Sequence, residues 1–269
     1  MVNNILKGLA LTLISSASLI TQAAENDVFG YTNTPIIPGT NWHVHDPRRP
    51  QPEVVKPKSA VIQQAPSDAI VLFDGSNMDA FERTKDGKAV DWLIKDGVVT
   101  IQSDKETGKN QSIRTKEKLA DMQLHIEWRS PVNTDKKRQQ KGNSGLYIMG
   151  RYEVQILDSY QNPVYPDGQA AALYGQTPPL VNASLPTGEW QSYDIVFEAP
   201  RFDDQGKLIK KAHATVFHNG ILVQHRTPLN GPTGHKSVKK YQAHGPSPLV
   251  IQDHSSAVSF RNIWVRKLD

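Results

Sequence analysis

Residues 141–158 carry the densest run of side chains able to do chemistry, from Lys141 through Asn143, Glu153 and Gln155 to Asp158. Glu153 and Gln155 alternate with Tyr152, Val154 and Ile156, so both project from one face of a strand. A carboxylate beside an amide suits a ligand groove. The same alternation also describes an ordinary solvent face, and the residue pattern leaves the two open. A direct glycosidase needs two carboxylates about 5 Å, or about 6.5–9.5 Å, apart. Glu153 and Asp158 are five positions apart and would face opposite sides of one regular strand. Unless that strand ends or bulges before Asp158, they are not such a couple; Glu127, on another strand, is a weaker alternative partner.

Other candidates are more scattered. Trp190 and Tyr174 could stack on the apolar face of a sugar ring, or serve as ordinary core or rim aromatics. Arg261 could bind a substrate oxygen, although fixing a loop through backbone carbonyls is the simpler role. His43 and His45 form an H-x-H pair with no third ligand nearby, which reads as a polar loop in preference to a metal site. His125, His213 and His225 fall on polar strand faces and are expected in solvent. Gly142 and Gly145 serve turn geometry or close backbone approach.

The elements that would position these groups are strands. Met122, Leu124, Ile126 and Trp128 alternate with polar residues, and Tyr193, Ile195 and Phe197 form another apolar face. Asp96-Gly97 and Asn219-Gly220 each separate two apolar runs, the pairing that favours type I′ hairpins. In the last strand, Val258 and Phe260 share one parity and Ile263 and Val265 the other, which implies a bulge near Arg261-Asn262. Many short strands without sustained helical periodicity predict an all-β sandwich.

Around this body the chain changes character. Lys7, the apolar run Leu9–Ile20 and the small residues at Ala23-Ala24 read as a signal peptide over 1–24, too short to span a bilayer. The protein is therefore expected to be secreted, most simply to the periplasm, with no membrane span after cleavage; the alternative reading of the same run is an uncleaved membrane anchor. Pro35, Pro38, Pro47, Pro50, Pro52, Pro57 and Pro66 make 25–66 an extended arm. Residues 67–269 form one domain. The chain has no cysteine, so a lipoprotein anchor, which would need one after the signal, is not expected, and disulfide stapling is excluded. Net charge is +4. The clusters Lys136, Lys137, Arg138, Lys141 and Lys236, Lys239, Lys240 lack interleaved aromatics and read as solvated loops, so no nucleic-acid partner is expected. Oligomeric state has no sequence signal.

Leu72-Phe73-Asp74-Gly75, Gly142-Asn143-Ser144-Gly145, Tyr152 to Asp158, Gly188-Glu189-Trp190-Gln191, His218-Asn219-Gly220, Gln252-Asp253-His254 and Phe260-Arg261-Asn262-Ile263 occur in that order. Together they resemble the 3-keto-disaccharide hydrolase family, also described as 3-keto-glucoside lyases and hydratases, over roughly 67–269. The resemblance implies a concanavalin A-like jelly roll with an enzyme site on its concave sheet. It further implies action on oxidised sugars and, for some members, one divalent metal ion but no organic cofactor. By that pattern Asn143, Glu153, Gln155 and Asp158 line the sheet, joined by Gln252 and His254 from a C-terminal strand. The family often has glycine after the histidine, where this chain has Ser255-Ser256.

A ketone at C3 acidifies the C2 proton, so a base can form an enolate that expels the C1 substituent; water then adds back. His254, with an intrinsic pKa of about 6.5, is the expected base. Glu153, Asp158 and His254 are the candidate metal ligands, with base and ligand roles exchangeable. The other readings are a non-catalytic carbohydrate-binding module and an envelope scaffold whose arm grips a partner.

Overall fold

A computed structural model describes residues 29–102, 110–132 and 134–268. The leader over 1–24 lies outside them, as does the start of the arm. None of the described helices is long and apolar enough to cross a membrane.

Two sheets make the body. The eight-stranded sheet runs in the order Ile221–Pro228, His213–His218, Gln191–Glu198, Met122–Arg129, Ser259–Lys267, Val98–Thr100, Leu93–Lys95, and Ile70–Phe73 also pairs with Ser259–Lys267. The five-stranded sheet runs Phe81–Arg83, Ile113–Thr115, Val250–Ile251, Ser144–Ile148, Tyr152–Ile156. Period-two alternation sends Leu124, Ile126, Trp128, Tyr193, Ile195 and Phe197 inward from the first sheet, and Leu146, Ile148, Tyr152, Val154 and Ile156 inward from the second; all are buried in one apolar cluster. This is the expected β-sandwich of jelly-roll type.

The turn chemistry follows the sequence. Asp96 and Gly97 have φ of 52° and 74°, Asn219 and Gly220 have 53° and 78°, and both pairs close two-residue hairpins. In the strand Ser259–Lys267 the register to Met122–Arg129 slips between Arg261 and Trp264, and Asn262 sits at φ 48°, which is the bulge the parity change implied.

The arm is no loose tether. Ile36 bridges to His43, and Glu53–Val54 adds a parallel strand to Val181–Asn182. Further on, Val61 donates its N–H to Ser192 Oγ at 3.0 Å, and the Gln63 carbonyl accepts from Trp264 Nε1 and Asn262 Nδ2, each at 3.0 Å. Residues 61–63 thereby cover the outer face of the eight-stranded sheet. That face was expected to meet solvent. Instead His125 and Glu127 are buried there, in a network with Asp194, Arg261 and Asn262.

Candidate active site

The outer face of the five-stranded sheet carries the site. On the strand Tyr152–Ile156, Glu153 and Gln155 point away from the core, as alternation requires. The facing strand Ser144–Ile148 sets Tyr147 opposite Glu153 and Gly145 opposite Gln155. A Cβ at position 145 would collide with the Glu153 carboxylate, so glycine here leaves the space the acid fills.

Loops turn this face into a hollow of about 320 Å³. Amides line one part of it: Gln139, Gln140, Asn143, Gln155 and Gln252. Phe29, Tyr31, Tyr165, Tyr174 and His235 supply rings, with Tyr147, Glu153 and His254 completing the lining. The amides hold one another in place. Gln155 Nε2 donates to Gln139 Oε1 at 3.1 Å, Gln139 Nε2 to the Gly168 carbonyl at 2.8 Å, and Asn143 Nδ2 to the Gln139 carbonyl. Gln252 Nε2 donates to the Tyr147 hydroxyl at 3.3 Å. Gln155 Oε1 is buried with no hydrogen-bond partner among the described residues, an acceptor left for a ligand.

Glu153 is the chemical centre of the hollow. The residue is 3% exposed. Burial pushes its carboxyl up to about 8, opposed by a hydrogen bond from Tyr147 and the charge of Lys239. Burial likewise raises the phenols of Tyr147, Tyr165 and Tyr174 above the usual tyrosine range, so all three stay protonated donors. The Tyr165 and Tyr174 hydroxyls pair at 3.1 Å, and Tyr174 also meets His235 Nδ1 at 3.2 Å. Burial and the neighbouring His45, Lys236 and His254 depress the His235 ring, favouring its neutral form. His254 itself is exposed at the mouth. The loop that presents it is fixed by buried Asp253, whose carboxylate accepts from the Gln111 and Ser255 N–H groups at 2.7 and 2.8 Å.

Thus Asn143, Glu153, Gln155, Tyr174, Gln252 and His254 meet in one hollow, as the sequence suggested. Three expected members do not. Asp158 follows the strand end and points elsewhere, beside Trp128, Ser130 and Leu157, with Lys141 Nζ 3.3 Å from its carboxylate. Trp190 precedes a strand of the other sheet and is flanked by the Arg129 and Arg261 guanidinium groups, 4.8 and 4.1 Å from its ring centre. Arg261 donates to Glu127 Oε2 at 2.7 Å, a side-chain partner in place of the expected carbonyls or substrate. Glu127 in turn lies in the network under the arm, on the outer face of the opposite sheet, and cannot couple with Glu153.

The three-ligand metal set does not assemble, because Asp158 is committed to Lys141 away from the hollow. Among the described residues no three histidine, aspartate or glutamate side chains are grouped to hold an ion. His43 and His45 also diverge: His43 Nδ1 meets the Thr34 carbonyl, whereas His45 is fully buried against Asp167.

Sequence reasoning missed Tyr147, Gln139, Gln140, Tyr165, His235 and the arm's Phe29 and Tyr31. Tyr147 had a usable signal, since a tight turn at Met149-Gly150 pairs it with Glu153. The lysine loop 236–240, read as solvated, borders the hollow: Lys239 acts on Glu153, and Lys236 Nζ lies 3.5 Å over the Tyr31 ring.

Residues 68–266 match the family described as the 3-keto-alpha-glucoside-1,2-lyase-like domain. The chain belongs to that family. The 3-keto-alpha-glucoside-1,2-lyase-like domain thus spans the whole sandwich and leaves the arm outside it. A curated relative, the 3-keto-disaccharide hydrolase of Bacteroides thetaiotaomicron, is 24% identical over 77% of this chain and 81% of its own length. A solved structure of a candidate glycosyl hydrolase from Parabacteroides distasonis is 42% identical, with a TM-score of 0.73, over 82% of this chain and 93% of that one. A second such protein of the same organism, 18% identical with a TM-score of 0.53 over 75% and 94%, shares the fold.

Proposed function

We propose that this protein cleaves 3-keto-glycosides, including 3-keto-disaccharides, by removing the C2 proton and eliminating the C1 substituent, with water then adding to complete a net hydrolysis. One observation carries the reading: a lone carboxyl group, raised to about 8, sits on the floor of a hollow lined by amides and phenols. Direct glycoside cleavage wants two carboxylates across the bond, and among the described residues Glu153 has no such partner in the hollow. Abstraction of an acidified C–H needs one base, and a base is most effective with a pKa near the working pH.

Glu153 takes the role first expected of His254, because it is desolvated and fixed while His254 stands exposed at the mouth. The C2–H bonding pair becomes the C2–C3 double bond of an enolate, and the proton passes to Glu153. The Gln252 amide donates a hydrogen bond to the oxygen at C3 as charge develops there, and the Tyr147 hydroxyl turns from Glu153 to that oxygen once the carboxyl has taken the proton. The enolate then re-forms the C3 carbonyl, a C1–C2 double bond appears, and the C1–O bond breaks. His254 protonates the departing oxygen. Addition of water across C1–C2 gives the 3-keto-sugar. The apolar leader at 9–20 supports export of this activity to the periplasm.

The test is incubation of purified protein with a 3-keto-disaccharide, followed by NMR of the sugars released. Release of the second sugar with a transient 1,2-unsaturated ketone supports the proposal, and Glu153→Gln should abolish both. Turnover of the unoxidised disaccharide at a similar rate would refute it, since no acidified C2 proton is then required.

A further inference from the structure

The family domain begins at residue 68, yet two residues far upstream of it form part of the hollow: Phe29 and Tyr31. Their placement is fixed by several independent contacts. His45 donates its backbone N–H to Asp167 Oδ2 at 2.9 Å, while its Nδ1 meets Asp167 Oδ1 at 3.1 Å; both side chains are fully buried. The His45 ring stacks on Tyr165 with centres 4.0 Å apart, and it lies 4.8 Å from Tyr174. Arg49 Nη1 donates to the Gln176 carbonyl and Gln51 Nε2 to the Val164 carbonyl, each at 3.0 Å. The arm therefore grips, at both ends, the segment 164–176 that carries Tyr165 and Tyr174. Gly30 belongs to the same grip: a Cβ there would stand 2.5 Å from the His45 carbonyl and crowd Pro47.

Above this latch the rings form a continuous surface. Phe29 meets Tyr31 edge-on with centres 5.3 Å apart, and the two lie 6.2 and 6.3 Å from Tyr165. Lys236 packs over Tyr31 and Arg138 over Phe29, at 3.5 and 5.6 Å, which pins both rings. Phe29 is still 38% exposed, a large apolar ring presented at a cavity wall and not sunk in a core.

We propose that the arm completes the substrate site, its Phe29 and Tyr31 forming with Tyr165 and Tyr174 an aromatic wall that binds the ring attached at C1 of the reacting sugar. This deepens the function proposed above and rests on it for the identity of the reacting sugar. The division of labour follows from complementarity. An oxidised sugar bristling with hydroxyls and a carbonyl suits the amides around Glu153, whereas a flat ring with an apolar face suits the aromatics. A second pyranose and an aryl aglycone both present such a face.

Calorimetry with Glu153→Gln, which binds without turnover, separates these sources. The ligands are a 3-keto-disaccharide, a phenyl 3-keto-glucoside and a methyl 3-keto-glucoside, against Glu153→Gln alone and combined with Tyr31→Ala, Phe29→Ala or Tyr31→Phe. The preference for each ring-bearing ligand over the methyl glucoside should fall about tenfold in the two alanine variants, in line with a lost aromatic contact of about 1.4 kcal/mol, and persist in Tyr31→Phe. A fall for only the disaccharide or only the phenyl ligand identifies which ring the wall takes. Unchanged preference in folded alanine variants, or no binding of any ligand, overturns the inference. If the predicted pattern appears while the wild type turns over none of the three, the aromatic subsite stands and the proposed reaction falls.

Discussion

Two buried glutamates, one on the outer face of each sheet, lie beneath parts of the same arm and have been given opposite characters. Glu127 is 1% exposed and Glu153 is 3% exposed, so burial alone does not distinguish them. Their partners do. Burial works against the charge of Glu127, but His125, Asn262 and Arg261 outweigh it and hold the acid below the usual carboxylate range. Arg261 donates to one oxygen at 2.7 Å and Asn262 to the other at 2.8 Å, with His125 Nε2 3.6 Å away. Glu153 has the Tyr147 hydroxyl and a more remote lysine, and desolvation wins. A buried carboxylate with every oxygen answered fastens a fold; one left nearly alone facing a hollow is available for proton transfer.

The comparison can be broken in several ways. The largest effect is expected from Glu153→Gln, which should lower kcat on a 3-keto-disaccharide by about 10²–10⁴-fold in a folded protein, measured under saturating substrate. Glu127→Ala should do the reverse, costing about 3 kcal/mol in urea unfolding while active molecules keep their kcat, because it strands His125 and frees Arg261 beneath the arm. Similar kinetic losses in both variants would erase the distinction.

The two acids should also shape opposite limbs of stability against pH. The Glu153 value, about 8, lies above the unfolded value of 4.5, so its contribution is complete below pH 4.5 and lost as pH rises through about 8. Glu127 is held below 4.5; it contributes above that pH and loses its contribution as acid protonates it. Melting temperatures should show Glu153→Gln flattening the alkaline limb, with Glu127→Gln flattening the acid one. The smallest effect is expected from Asp158→Asn. It should weaken the Lys141 contact by about 1 kcal/mol and leave kcat near wild type; a collapse in kcat would return Asp158 to the site.

Much of this arrangement was readable before the fold was known. Alternation placed Glu153 and Gln155 on one face, and the glycine-containing turns located the hairpins, because both signals are local and steric. The ordered motifs brought Asn143, Gln252 and His254 to the same sheet across long separations. Asp158 misled because the resemblance set it beside Glu153, whereas alternation had already put it on the opposite side; just past the strand end it points away to Lys141. Trp190 and Arg261 misled because sugar-stacking and ion-pairing residues look alike until their neighbours are known. The arm was the largest omission. Prolines announce an extended chain but not where it lies, and a handful of specific contacts, such as His45 to Asp167, decide which faces of the sandwich it closes. That closure also explains why His125 is buried on a strand face that reads as solvent.

Exchange of the C2 hydrogen of a 3-keto-glucoside for deuterium in heavy water, followed by NMR across pH 6–10, tests the central claim most directly. The account predicts enzyme-dependent C2 exchange or elimination that climbs to a plateau above about pH 8 and vanishes in Glu153→Gln. Wild-type rates of C2 exchange in a folded Glu153→Gln protein would contradict it.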